Sequence, residues 1–306
     1  MQTILGANGI IGKELSKHLP QQTSQVRQVS RNPKKVNPSD ELVKADLLNY
    51  SETEKAVEGS KVVYLVAGLK YEAKIWENQW PVVMKNTIDA CKKHGSKLVF
   101  FDNVYAYGQV NGVMTEETPF NPNSKKGEVR AKIATMLLEE IKADNLKAMI
   151  IRGADFYGPG ATLSLIHSTV TERLKAGKGA QWIGDKKKIH TFTYTPDAGK
   201  TVALLGNEDE AYNQTWHALT SPEKITGEEL IRIAYEIMNM PNKGVQGMSK
   251  TGVRVLGLFI PVLREFVEMM YQFENDYIFD GSKASKFLNE NATFYKEGMR
   301  ETLKGV

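Results

Sequence analysis

Gly6-Ala-Asn-Gly9-Ile-Ile-Gly12 stands between a short apolar run, Thr3–Leu5, and a segment with Ile11, Leu15 and Leu19 at helical spacing. Glycines placed there can do one kind of chemistry. They permit a tight strand-to-helix turn and let backbone amides approach a pyrophosphate at the helix N-terminus, where the helix dipole favours an anion. Gly6, Asn8, Gly9, Ile10, Ile11 and Gly12 are the residues such a cradle would use. The rival reading is a strand–helix turn that holds nothing; strand before, helix after and a βαβ frame around the glycines favour the ligand. Other reactive patterns are missing. His18, His94, His167, His190 and His217 are scattered without metal-ligand spacing, and neither a Gly-x-Ser-x-Gly elbow nor a Walker sequence occurs.

The elements that would position this turn follow from periodicity. Gln25–Ser30, Lys61–Ala67, Lys97–Phe101 and Ala148–Ile151 read as strands, the second of them an almost continuous Val/Tyr/Leu run suited to a sheet covered on both faces. Helices are expected over 81–94, with Val83, Thr87 and Ala90 on one face and Gly95 after its end. Another is expected over 128–143, with Val129, Ile133, Met136, Leu137 and Ile141 as its stripe. Strands alternating with helices call for an α/β fold with a doubly wound parallel sheet. The pattern loosens after Asp155. One helix is expected at 163–176, strands near 191–194 and 214–218 return to the sheet, and Thr226-Gly-Glu-Glu229 is a capping box. Residues 1–155 therefore read as a nucleotide-binding domain, completed by return strands near 188–218. Residues 156–306 read mostly as a smaller C-terminal substrate-binding lobe.

Composition narrows the classes. The 306 residues are 41% hydrophobic and 25% charged, an ordinary globular balance. A net charge of +4 is no nucleic-acid footprint, so no nucleic-acid partner is expected. The most apolar stretch, 253–263, is too short for a membrane helix and carries Arg254 and Pro261, so no membrane partner is expected either. Its bulky residues, continuing through Phe266, Val267, Met270 and Tyr271, read mostly as core, with a lid or dimer contact as the alternative. One cysteine, Cys91, excludes an internal disulfide and fits a reducing compartment, and no signal peptide is read at the start, so the expected location is cytoplasmic.

With these motifs in order, the chain resembles the short-chain dehydrogenase/reductase superfamily, in its extended branch of NAD(P)-dependent epimerases and dehydratases. The glycine spacing is that superfamily's. Ala45-Asp46-Leu47 is similar to its adenine-contacting Asp-Leu, and Val66-Ala67-Gly68 stands where the fourth strand meets the cofactor. Asn86 falls at its helix Asn. Arg152 to Gly160 resembles its Arg-Pro…Tyr-Gly-Pro-Gly segment, which brings Asp155 to the cofactor side, and Tyr194-Thr-Pro-Asp197 resembles its Val-x-Asp motif. The resemblance implies a Rossmann-type sheet, a nicotinamide dinucleotide, and a homodimer paired through the helices near 81–94 and 128–143.

Ser30 and Arg31 follow the second strand, with Lys34 and Lys35 close by. NAD enzymes of this fold place a carboxylate there for the ribose hydroxyls, whereas a guanidinium fits a 2′-phosphate. NADP(H) is therefore expected over NAD(H), against the alternative that the cations are a solvated cluster. The family's catalytic Ser/Thr, Tyr and Lys are less well matched. Aligning Tyr107-Gly108 with its Tyr-Gly puts Asn103 at the Ser/Thr. Aligning Glu128-Val-Arg-Ala-Lys132 with its Tyr-x-x-x-Lys keeps a lysine for the ribose and replaces the tyrosine by Glu128. Tyr105 and Tyr107 are the substitute phenols. The competing readings are a surface ion pair between Glu128 and Lys132 and a phenol packed under its loop. Lys188 and His190 stand where nucleotide-sugar members grip a diphosphate, although the family residue is Arg. Tyr71, Trp76 and Trp80 offer either an aromatic wall or core packing, and Trp216-His217 reads as core. Two functions stay open. One is an NADP-dependent oxidoreductase or epimerase-dehydratase acting on a hydroxyl/carbonyl carbon of a small molecule, sugar nucleotides included. The other is a non-catalytic NADP(H) sensor that has lost the tyrosine.

Overall fold

The computed structural model describes residues 1–304. Seven parallel strands form the central sheet: β1 (Gln2–Leu5), β2 (Val26–Ser30), β3 (Glu41–Lys44), β4 (Val62–Leu65), β5 (Lys97–Asn103), β6 (Ala148–Gly153) and β7 (Thr215–His217). Their order is β7-β6-β5-β4-β1-β2-β3. The chain winds outward from β1 in both directions, so the crevice lies at the C-terminal ends of β1 and β4, where the winding reverses. Side chains alternate across the sheet. Leu5, Val63, Leu65, Leu98 and Phe100 enter one core with helices α2 (Tyr50–Val57), α3 (Ala73–His94) and α4 (Lys125–Lys142). Ile4, Tyr64, Val99 and Phe101 enter the other with α1 (Ile10–His18) and α5 (Thr195–Leu205). This period of two, apolar on both faces, is what a sheet covered by helices requires.

Several elements depart from expectation. Helix α3 begins at Ala73, eight residues before Pro81. A proline inside a helix loses one backbone bond, and here Trp76, Trp80, Val83 and Met84, all buried on one stripe, hold the helix across it. The helix expected over 163–176 runs unbroken from 165 to 175, and what departs is its winding, which widens to a π-helix at His167–Thr171 before a last α turn at Glu172–Lys175. Of the two expected return strands only β7 joins the main sheet; Phe192–Tyr194 pairs instead with Asp155–Tyr157. The capping box is formed at Thr226 and opens α6 (Gly227–Ile237), whose Leu230, Ile231, Ala234 and Tyr235 are buried.

The segment 250–274 is a strap of short helical pieces, Lys250–Gly257, Pro261–Phe266 and Tyr271–Glu274 among them. Val253, Met269, Met270 and Phe273 are buried beneath it, while Leu258 and Phe259 are 77% and 80% exposed at its elbow. The reading of this stretch as mostly core therefore holds for its second half, with Val253 the buried anchor of the first. Among the described residues, no helix is long and apolar enough to cross a membrane.

Candidate active site at the C-terminal edge of the sheet

The glycine turn is built for close approach. Gly6 has φ +93°, and a Cβ there would lie 2.3 Å from the Cα of Ala67; a Cβ on Gly12 would lie 2.9 Å from Ala7. β1, β4 and the start of α1 thus meet without side chains between them. Helix α1 has no side-chain cap and no acidic residue in its first turn, whereas α2, α4 and α6 are capped by Asn49, Ser124 and Thr226. Lys13 is the first amide of the helix to find an acceptor, Gly9 O at 3.0 Å. The N–H groups of Ile10, Ile11 and Gly12 are left free at the positive end of the helix dipole, and these are donors a pyrophosphate would satisfy. Gly68 has open space around it at the end of β4. The residues present fit a dinucleotide.

The loop after β2 is held in place from below. Buried Gln28 bonds Ser16 and Asp40, and Asp40 accepts the amides of Val36 and Asn37 at 2.9 and 2.8 Å. The Asn8 amide reaches Asn32 O at 2.7 Å, and Ser30 Oγ accepts from Asn32 N, so the two turns are tied together. Arg31, Lys34 and Lys35 are exposed on this loop. Glu41, on the neighbouring strand, is taken by Arg27 at 3.1 Å. Farther along the same edge, the side chain of Asp46 accepts Leu48 N, while Leu47 O is fixed by the Asn86 side chain at 2.9 Å.

On α4 the structure separates the residues that the Tyr-x-x-x-Lys alignment had paired with the crevice. Glu128 and Lys132 are both exposed and form no ion pair with each other. They lie about 140° and 100° around the helix from Ile133, which faces the sheet. Lys126 and Arg130, also four residues apart, occupy the buried face with Val129, Ile133 and Leu137. The ammonium of Lys126 is fully buried. It donates to Glu265 Oε2 at 2.7 Å and Glu268 Oε1 at 2.8 Å, and sits 4.6 Å from the centre of the Tyr71 ring. Glu265 also accepts Ala73 N, and Glu268 accepts Lys125 N. Two strap carboxylates thus close the N-termini of α3 and α4 around one lysine. Burial pushes the Glu265 carboxyl up, but the Lys126 and Ala73 donors outweigh it and hold it below the usual range. A one-step shift of the helical stripe would have found Lys126 and Arg130; nothing local in the sequence pointed to Glu265 or Glu268.

Arg130 Nε and Nη2 bond Asp102 Oδ1 at 2.6 and 2.5 Å, and Arg152 Nε lies 3.4 Å from Oδ2. Arg152 Nη1 donates to Tyr107 Oη at 3.1 Å; Tyr107 Oη lies 2.9 Å from His217 Nε2, and His217 Nδ1 donates to Asp280 O at 2.7 Å. Burial lowers the pKa of His217 to about 3. A neutral ring with its proton on Nδ1 satisfies both partners, since Tyr107 supplies the hydrogen to Nε2. Tyr107 is therefore committed to this network under its loop, and Trp216-His217 is core.

Asn103 ends β5. Its Oδ1 accepts Tyr105 N at 3.0 Å, which leaves the amide nitrogen as the free donor. Tyr105 stacks on Trp76, with ring centroids 6.2 Å apart, and its phenol lies against that of Tyr71. Gly153, the register partner of Asn103, is followed two residues on by Asp155. Asp155 Oδ2 lies 2.9 Å from His190 Nε2. His190 is buried in an aromatic stack, 4.3 Å from Phe273 and 4.5 Å from Tyr277 between ring centroids, and its Nδ1 faces Gln272 O at 3.2 Å. It presents no open face to an anion, in contrast to the diphosphate-gripping expectation; Lys188, half-buried, sits two residues before it. Burial, with the Asp155 charge next or close behind, raises the pKa of Tyr71, Tyr105, Tyr271 and Tyr277. These phenols stay protonated at neutral pH. Trp76 and Trp80 are buried, so the aromatic wall is at the same time core packing.

Free amides at a glycine turn, placed where the winding of a parallel sheet reverses, define a dinucleotide-binding α/β protein. The comparisons narrow the class. The sequence pattern of the NAD dependent epimerase/dehydratase family matches residues 3–216, and the chain belongs to that family. Among solved structures, it is similar to UDP-glucuronic acid 4-epimerase from Bacillus cereus in complex with NAD (TM-score 0.81, 17% identity, 100% of this chain and 98% of that one). It is likewise similar to a double mutant of the dTDP-glucose 4,6-dehydratase DesIV from Streptomyces venezuelae with NAD and DAU bound (TM-score 0.82, 16% identity, 100% and 96%). Among curated proteins it is 25% identical, over 78% of its length, to 3beta-hydroxysteroid-dehydrogenase/decarboxylase isoform 2 of Arabidopsis thaliana. The chain spans 43% of that relative's length, and 37% of isoform 1.

Proposed function

We propose that this protein binds NADP(H) and catalyses hydride transfer at a hydroxyl/carbonyl carbon of a small molecule bearing an apolar ring. One observation carries the reading: three unsatisfied amides of α1 lie at the sheet's switch point, on the same edge as a β2 terminus that presents Arg31 and no free carboxylate. The bound nicotinamide supplies or accepts the hydride. The protein holds the pyrophosphate on the turn of Gly6, Asn8, Gly9, Ile10, Ile11 and Gly12, and the 2′-phosphate on Ser30 and Arg31. Asp46 and Leu47 border the adenine, while Val66, Ala67 and Gly68 lie under the cofactor where β4 ends. Asn103 Nδ2 donates to the substrate oxygen. Tyr71 and Tyr105 form the wall against the substrate ring, which favours the hydroxysteroid named for the Arabidopsis relatives as a type over a nucleotide sugar, since His190 is unavailable to a diphosphate. Glu128 and Lys132 have no part in this mechanism, because both point away from the crevice.

A second reading has its own support. Lys126 is locked between Glu265 and Glu268, and a chain without a free phenol–lysine pair would bind NADP(H) as a sensor. Titration with NADPH and NADH, followed by incubation with ketones, hydroxysteroids and nucleotide sugars, separates the two. The enzyme reading requires tighter NADPH binding, lost selectivity in Arg31→Ala, and nicotinamide oxidation with a ketone. Equal affinity for NADH overturns the cofactor preference; binding without turnover on every compound favours the sensor.

A further inference from the structure

The two buried histidines make opposite demands on protons. His217 faces one carbonyl and one hydroxyl, a pair that a neutral ring satisfies. His190 faces the Gln272 carbonyl through Nδ1 and the Asp155 carboxyl through Nε2, at 3.2 and 2.9 Å. Both partners are acceptors. A neutral imidazole has one N–H and a carboxylate has none, so this arrangement closes only with one additional proton, either on the ring or on the carboxyl. The ring end of the pair is closed off and the carboxyl end is open: the His190 side chain is 2% exposed, and that of Asp155 19%. Asp155 Oδ1, the other oxygen, has no partner among the described residues, two positions beyond the strand end that aligns with Asn103. In the same cluster the buried hydroxyls of Tyr71, Tyr271 and Tyr277 and the amide of Gln272 make no hydrogen bond of ordinary geometry, although Tyr71 lies against Tyr105 and Tyr277 against Gln272. A free carboxyl oxygen in a cluster of under-satisfied donors describes a site that a ligand with oxygen acceptors completes.

We propose that Asp155 is the catalytic acid–base of this protein, with His190 as the positioning residue that stores its proton. The proposal rests on the oxidoreductase reading above and deepens it. In the reducing direction a bound nicotinamide dinucleotide would supply the hydride to the carbonyl carbon, and the protein's own part is the proton. The Asp155 carboxyl gives its proton to the carbonyl oxygen, and the pair is left as a carboxylate and a neutral imidazole, to be reprotonated from solvent after product leaves. In the oxidising direction the same carboxylate takes the hydroxyl proton as the hydride departs. This assigns to Asp155 the task that the absent tyrosine would perform, and it leaves the phenols of Tyr71 and Tyr105 as orienting donors. The titratable groups facing the pair are Tyr71, Tyr105, Tyr271 and Tyr277, with Glu268 and Lys126 behind them.

The proton is directly observable. In 15N-histidine, 13C-aspartate protein with NADPH absent, His190 is assigned by comparison with His190→Gln. At neutral pH it is expected to show either two ring N–H groups or one together with a protonated Asp155, and Asp155→Asn should leave a single neutral tautomer. A neutral ring beside an ionised Asp155 in the wild type overturns the proposal whether or not a substrate is known. With a ketone that the panel shows to be reduced, Asp155→Asn is expected to lower kcat by about 10²- to 10⁴-fold at saturating NADPH. His190→Gln should retain activity with its pH profile displaced. An Asp155→Asn enzyme with wild-type kcat also overturns the proposal, while loss of NADPH binding by the wild type would defeat the oxidoreductase reading instead.

Discussion

Acid should destabilise this protein through His217, and the size of the effect can be worked out. The ring is fully buried and titrates at about 3 in the fold, against about 6.5 in the unfolded chain. Between those values the unfolded state binds the extra proton, so stability falls as pH drops and is fully present only above the unfolded value. Going from pH 7 to pH 5 costs about 2 kcal/mol from this one group, because each unit of pH in that window is worth about 1.4 kcal/mol. Other carboxylates and histidines titrate over the same range, so the measurement is a difference. Urea unfolding of wild type and His217→Gln, followed at pH 7, 6 and 5, isolates the contribution. The variant is expected to be the less stable at pH 7, having lost the bonds to Asp280 O and Tyr107, and the gap should shrink by about 2 kcal/mol by pH 5. A gap that stays constant over this range would refute the assignment of a buried neutral ring.

Three further outcomes follow from the geometry. Gly12→Val should abolish NADPH binding in a fluorescence titration and lower Tm, since its Cβ would meet the Ala7 backbone at 2.9 Å. Lys126→Met leaves Glu265 and Glu268 facing each other without their cation and should cost about 3–5 kcal/mol in denaturant unfolding, whereas Lys132→Met, on an exposed face, should stay within about 0.5 kcal/mol; equal effects would contradict the placement of α4. Asp102→Asn strands the Arg130 and Arg152 guanidiniums in the core and is expected to destabilise by about 3–5 kcal/mol, more than the double change Asp102→Asn with Arg130→Met.

Much of the scaffold was legible because it is local. Ile11, Leu15 and Leu19 mark α1 by spacing, the Val/Tyr/Leu run marks β4, and Thr226 with Glu229 marks the start of α6. The edge strand β3, Glu41-Leu-Val-Lys44, carries two charged ends and gives almost no periodic signal, which is what an exposed edge looks like. The site was legible in its first half only. The glycine turn declares itself through neighbours in sequence, but the chemistry beyond it depends on long-range meetings: Lys126 with Glu265, Asp155 with His190, Tyr107 with His217. The alignment that favoured Glu128 and Lys132 matched residue types and ignored the helix stripe; Val129, Ile133 and Leu137 already implied that 126 and 130, rather than 128 and 132, face inward. His190 read as an anion ligand because the rings stacked on it, Phe273 and Tyr277, lie more than 80 residues away in the chain, and only Phe192 is a neighbour in sequence.

The last strand of the sheet has a consequence for how the chain is made. β7 arrives 61 residues after β6 ends and supplies its outer neighbour, Trp216 alongside Ile151. While a ribosome is still building the intervening lobe, the hydrogen-bonding groups of Ile150–Arg152 on that side have nothing to pair with. An N-terminal fragment cut near residue 155 inherits the same open flank, and would be expected to self-associate through it rather than persist as an independent nucleotide-binding unit.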